Sequence, residues 1–166
     1  STNEVDLLQH ICPDGNVHAS YGYNTNHQVI AFTNAVGYVT SYTYDTNGHL
    51  ASVSRPSGLT TTNIYNASGY LEKTIDIEIA RTNTFTYTNG LVFSHTNERG
   101  LTTTNTWDGL QRLTSRIYPD GTCSSNIYTY LDLAATKDRL GNWSYFKHNS
   151  IRQNTAVTNA LGRVTT

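Results

Sequence analysis

The sequence predicts an all-β chain of tandem hairpins, each about 21 residues long, joined into one continuous, twisted antiparallel sheet. Composition is the first observation behind that expectation. Among 166 residues there are 27 Thr, 17 Asn, 12 Gly and 12 Tyr, and only 14% are charged. Thr and aromatic residues fit a pleated surface, whereas the strong helix formers are sparse. The second observation is a repeat. Gly15, Gly37, Gly58, Ile79, Gly100, Gly121, Gly141 and Gly162 open successive modules at steps of 20 to 22 residues, with Ile79 standing where one glycine is missing. The third is strict alternation inside a module, which is the period of a strand.

Taken in chain order, Ile11-Cys12-Pro13-Asp14-Gly15 reads as a turn into the first full module, and Ile117-Tyr118-Pro119-Asp120-Gly121 repeats it. From Gly37, the residues Tyr38, Thr40, Tyr42 and Tyr44 alternate with Val39, Ser41 and Thr43 as a leading strand. Asp45-Thr46-Asn47-Gly48 follows. Asp at the first turn position bonds to backbone N–H groups ahead of it, and Gly at the fourth tolerates positive φ, as in a type I turn closed by a bulge. Leu50 to Ser54 returns, and Arg55-Pro56-Ser57-Gly58 turns the chain again, with proline fixing φ near −65°. The frame then recurs: Gly58-Leu59-Thr60-Thr61-Thr62-Asn63-Ile64-Tyr65 reappears as Gly100-Leu101-Thr102-Thr103-Thr104-Asn105-Thr106-Trp107. Asp45, Asn66 and Asp108 enter equivalent turns; a second glycine falls eleven residues after the module start at Gly48, Gly69 and Gly90, and Gln111 replaces the turn glycine after Asp108. About eight modules fill residues 1–166 as one repeat region with no second domain, giving about sixteen strands. One hairpin is marginal in water, so each module draws its stability from its neighbours.

The same composition narrows function. Eleven basic against twelve acidic residues leave no electrostatic footprint for nucleic acid. No apolar run approaches the 18 or so residues of a membrane-spanning helix. Met is absent throughout, which reads as a mature or excised piece of something longer. Cys12 and Cys123 lack metal-ligand spacing and are expected as unpaired thiols, with an intermolecular link as the alternative. His27 and His49 fall at equivalent turn positions, about two strands apart and too far to share a metal, and with Tyr70 and Arg112 they mark a tolerant surface slot. There is no Gly-x-Ser-x-Gly elbow and no phosphate loop. Asp45 and Asp108 belong to turns before they belong to catalysis. The expectation is therefore a non-enzymatic chain without cofactor or metal. Tyr38, Tyr42, Tyr44, Tyr65 and Trp107 share one face, which either packs against a neighbour or presents a platform to carbohydrate.

Tyr44-Asp45-Thr46-Asn47-Gly48-His49-Leu50, Tyr65-Asn66-Ala67-Ser68-Gly69-Tyr70-Leu71 and Trp107-Asp108-Gly109-Leu110-Gln111-Arg112-Leu113 resemble the YD repeat of the Rhs family, found also in Tc toxins, wall-associated proteins and teneurins. The resemblance implies a sheet that spirals into a hollow shell, often around a toxin or signalling segment, in a bacterial extracellular or cell-surface protein. It implies a structural function, with neighbouring repeats as partners. The alternatives are a carbohydrate-binding surface, a self-associating tube or fibre joined through edge strands, and the wall of a toxin-encapsulating cocoon. Ser1 to Glu4 reads as part of a leading strand that could pair with the tail of another copy.

Overall fold

The computed structural model describes residues 6–166; the proposed leading strand at Ser1 to Glu4 lies outside them. The described chain is all strand and turn. The elements are β1 (Gln9–Ile11), β2 (Val17–Tyr23), β3 (Val29–Asn34), β4 (Val39–Tyr44), β5 (Leu50–Ser54), β6 (Thr60–Tyr65), β7 (Leu71–Asp76) and β8 (Arg81–Thr88). They continue as β9 (Leu91–Thr96), β10 (Thr102–Trp107), β11 (Leu113–Ile117), β12 (Cys123–Thr129), β13 (Asp132–Lys137), β14 (Trp143–His148), β15 (Asn154–Thr158) and β16 (Val164–Thr165). They form one antiparallel sheet in chain order. The chain falls into two compact units, one ending at Asn83 and one beginning at Thr84.

One turn is used repeatedly in both units. In the turn after β4, the Asp45 carbonyl accepts from Gly48 N–H at 3.1 Å, and Asp45 N–H donates to the His49 carbonyl at 2.9 Å. Asp45 Oδ1 accepts from the backbone N–H groups of Asn47 and His49 at 2.9 and 2.8 Å. Asn34, Asn66, Asn97, Asp108, Asp138 and Asn159 repeat this two-acceptor geometry in their own turns. The fourth residue has φ near +80° wherever it is glycine, as at Gly48 and Gly58. Two tips are shorter. Thr88 pairs with Leu91 across Asn89–Gly90, and Thr129 pairs with Asp132 across Tyr130–Leu131.

His27 and His49 do not occupy equivalent places. His27 is the fourth residue of the turn that starts at Asn24, where it takes the glycine's position with φ +60°, and Gln28 is the counterpart of His49. The extra residue of the first module lies ahead of Asn24, between the turns at Cys12 and Asn24, and this displaces the count by one.

Each module hairpin carries a β-bulge near the start of its returning strand, one pair in after the longer turns and two pairs in after the short tips. Tyr44 pairs with Leu50 but Thr43 pairs with Ser52, so Ala51 is extra; Glu72, Phe93, Thr114 and Ala134 are extra in the same way. A bulge interrupts the ladder locally. Between hairpins the backbone pairing is correspondingly short. Only Ser52, Val53 and Ser54 pair with Thr62, Thr61 and Thr60, and the hairpins part toward the tips.

No deep core results. Among the described residues only Ala19, Ala135 and Asn105 are buried. Thr and Ser hydroxyls pair across strands on one face, Thr43 with Ser52 at 2.7 Å, Thr86 with Ser94 at 2.6 Å and Thr96 with Thr102 at 2.7 Å. Such cross-strand pairs are the unit of sheet stabilisation, and they give part of the threonine its place. Gly58 has open space where a Cβ would stand, so Gly58→Ala meets only the backbone cost of φ +86°. The expected loss is about 1–2 kcal/mol in urea denaturation; a neutral substitution would contradict the turn geometry.

Candidate functional site

The feature that recurs with side-chain chemistry is the seam between one hairpin and the next, at the bulge. Beside the bulge of β5, the carbonyl of Leu50 accepts from Asn63 Nδ2 at 2.9 Å and from the Tyr65 hydroxyl at 3.0 Å. The Val92 carbonyl accepts from Asn105 Nδ2 at 3.1 Å and Trp107 Nε1 at 3.0 Å. The Leu113 carbonyl accepts from Asn126 Nδ2 at 3.0 Å and the Tyr128 hydroxyl at 3.2 Å. Tyr44 reaches the Val29 carbonyl at 2.8 Å, with Tyr42 in place of the asparagine. The seam therefore has a backbone ladder at one end and a side-chain clasp at the other. Asn105 is the most completely held member: it is 6% exposed, and its Oδ1 accepts from Arg116 Nε at 2.9 Å.

A third group closes the same seam. The fifth turn residue stands immediately before the returning strand and reaches toward the next hairpin. Gln28 Nε2 donates to the Gly48 carbonyl at 2.9 Å, and the His49 ring stacks on Tyr65 with centroids 4.6 Å apart. The Arg112 guanidinium lies 4.1 Å above the Tyr128 ring and donates to the Tyr130 carbonyl. Arg112 is also bound to Asp108 Oδ2, through Nε at 2.8 Å and Nη2 at 2.7 Å, and His49 Nδ1 meets Asp45 Oδ2 at 3.0 Å. The slot expected to be a tolerant surface position is a three-way junction, because an i, i+4 pair across the turn aims its planar end at the next aromatic.

The sequence-selected residues divide accordingly. Tyr44, Tyr65 and Trp107 face the seam with their polar ends bonded to backbone. Tyr42 lies across from Val53 on the neighbouring strand. Tyr38 lies outside β4, as the fifth residue of the Asn34 turn, and is 60% exposed. Asp45, Asn66 and Asp108 are first turn residues, Gly48 and Gly69 fourth ones, and Gly90 belongs to the two-residue tip. The clasp asparagines Asn63, Asn105 and Asn126 were not singled out from sequence, although each stands two residues before the seam aromatic. Cys12 and Cys123 are both free and half-buried. Among the described residues no three His, Cys, Asp or Glu gather as metal ligands.

The turn carboxylates are electrostatically placed. The Arg112 side chain, then the backbone N–H groups of Arg112 and Leu110, hold Asp108 below the usual carboxylate value. Arg152 does the same for Asp132. At Asp45 desolvation pushes the pKa up, but the bonds from His49 and Asn47 together outweigh it and the value falls. Beside Trp107 the seam opens into a cavity of about 330 Å³, lined by Leu91, Phe93, Trp107, Asn89, Asn105 and Gln111, among others.

Hairpin repeats clasped in this way define a structural repeat scaffold. Residues 23–61 match the RHS Repeat family model. No curated protein sequence matches the chain. Its fold is similar to a chain in the structure of the Photorhabdus luminescens Tc holotoxin pore, with TM-score 0.70 and 9% identity over 87% of this chain and 9% of that one. It is also similar to a chain in the TcdB2-TccC3-Cdc42 crystal structure, with TM-score 0.63 and 15% identity over 92% of this chain and 9% of that one. The chain thus spans about a tenth of the length of these solved chains. Residues 23–61 thus carry an RHS repeat, and the hairpins on either side of them repeat the same fold.

Two outcomes test the clasp. Asn105→Leu leaves the Val92 carbonyl one donor short and Arg116 without its acceptor, so urea denaturation should show a loss of about 1–3 kcal/mol. Asn63→Leu should cost less, since its surroundings are more open. The depressed carboxylates contribute stability that is fully present above the unfolded-state value, near 4, and is lost as pH falls through the folded value. The urea midpoint should hold from pH 7 to about pH 5 and drop below about pH 4, with a shallower drop in Asp108→Asn.

Proposed function

We propose that the chain is a length of structural wall in a large bacterial secreted or surface-associated protein. The observation that carries this reading is the distribution of stabilising contacts. Hairpins are held by their neighbours through short ladders, reinforced by clasps at the carbonyls of Leu50, Val92 and Leu113, and among the described residues no deep core gathers the interactions in one place. A wall needs this arrangement, because its length is set by the number of modules. The Rhs family match and the fold shared with Tc toxin chains support the same reading, and enclosure of a segment supplied elsewhere is the function such a wall serves. A carbohydrate platform draws less support, since Tyr44, Tyr65 and Trp107 are engaged in the seam.

Deletion of one module in frame is the test. Removing residues 58–79 joins equivalent turn positions of adjacent modules, because Ala80 takes the positive φ that Gly58 has in its own turn. The shortened chain should retain β circular dichroism and cooperative urea unfolding, with an m-value lower by about one-eighth, in proportion to the surface lost. Collapse to an unfolded or aggregated chain would show that stability rests on one central core, and would overturn the wall reading.

A further inference from the structure

At three seams the residue at the entry to the returning strand covers the tip. Gln28, His49 and Arg112 carry planar groups with N–H donors, and each stands sixteen residues before the next hairpin's aromatic, at Tyr44, Tyr65 and Tyr128. They meet that ring or the adjoining turn carbonyl. Sixteen residues before Trp107 stands Leu91. Its side chain is aliphatic, has no donor and presents no plane to stack. The tip before it is the short Asn89–Gly90 turn, and Gly109 contributes no side chain from the opposite tip. The cavity beside Trp107 lies at this seam. The corresponding seam at Asp132 is bridged by Arg152 from the following tip, with Nε 2.8 Å from Asp132 Oδ1.

We infer that the Trp107 cleft binds a planar cation supplied in trans, the guanidinium of an arginine side chain on a polypeptide segment. The molecule itself supplies the template, for at the equivalent seam the Arg112 guanidinium stacks on an aromatic ring and donates to a tip carbonyl. In the Trp107 cleft the indole is the stacking surface, and the Gln111 carbonyl is the counterpart of the Gly48 carbonyl that accepts from Gln28. Guanidinium stacks and donates in one plane, whereas ammonium is a compact, strongly hydrated charge. A polypeptide carrier fits the rim, where the successive tips expose Leu110, Tyr130 and Ile151 to apolar residues flanking the arginine. This assignment stands independently of whether the chain is part of a wall.

The chain has two tryptophans, so Trp143→Phe leaves Trp107 as the sole indole reporter. Titration of that protein with N-acetyl-arginine amide at fixed ionic strength should give saturable quenching of Trp107 emission. N-acetyl-lysine amide should bind at least about threefold more weakly. Adding Leu91→Arg supplies the guanidinium in cis and should abolish the response, with far-ultraviolet circular dichroism showing that both variants fold. Equal binding of the lysine amide, equal binding of N-acetylglucosamine, no saturable response to arginine, or an undiminished response in Leu91→Arg would each overturn the assignment. If Trp143→Phe fails to fold, the indole Nε1–H resonance of Trp107 in the unmodified chain gives the same readout.

Discussion

The carbonyl beside each bulge is the constraint from which the organisation of the sheet follows. An extra residue on the returning strand takes that carbonyl out of register with its hairpin partner, and an unsatisfied backbone acceptor in a half-buried seam is costly. At Leu50, Val92 and Leu113 the acceptor is met by an amide and an aromatic donor from the next hairpin. The bulge, the asparagine and the aromatic are therefore one device. Loss of the bulge would leave the side-chain donors without a target, and loss of the donors would leave the bulge unpaired. Turn length feeds into the same device, because the turn delivers the residue that covers the aromatic ring.

This explains how a chain with almost no buried aliphatic side chains holds together. Hydrophobic stabilisation scales with apolar area removed from water, and here that area is divided among seams instead of being gathered in a centre. Aromatic residues suit such seams: Tyr65 contributes a ring that His49 covers and a hydroxyl that satisfies a backbone acceptor. The hydroxyl pairs on the opposite face hold neighbouring strands in register without requiring a second layer over them.

The strand pattern, the turns and the repeat frame could be read from sequence because each rests on local chemistry. Asp45 and Gly48 declare a turn through their own hydrogen bonds and φ, whatever surrounds them. The clasp was not read, because its partners lie thirteen and fifteen residues apart and meet only when hairpins pair sideways. A signal was nevertheless present. Asn63 before Tyr65, Asn105 before Trp107 and Asn126 before Tyr128 hold a constant spacing of two, and Asp108 and Arg112 a spacing of four. The count from module glycines placed His27 beside His49 in the frame because it could not locate the extra residue ahead of Asn24. Turn geometry, with its fixed spacing of first and fourth residues, locates it. The short tips at Asn89–Gly90 and Tyr130–Leu131 also escaped a glycine-based frame, since Gly90 keeps the period while occupying a different turn.

The placement of each module hairpin's bulge near the start of its returning strand has a mechanical consequence. Within each unit, a seam is fastened by backbone bonds near one rim and by side chains near the other. Backbone bonds do not depend on side-chain identity, but side chains can be exchanged by substitution, so the stiffness of one rim is largely fixed and that of the other is tunable. Force applied across a seam would open it from the tip inward, as a zip opens, and the residues at Gln28, His49, Leu91 and Arg112 would set the load at which each seam begins to part.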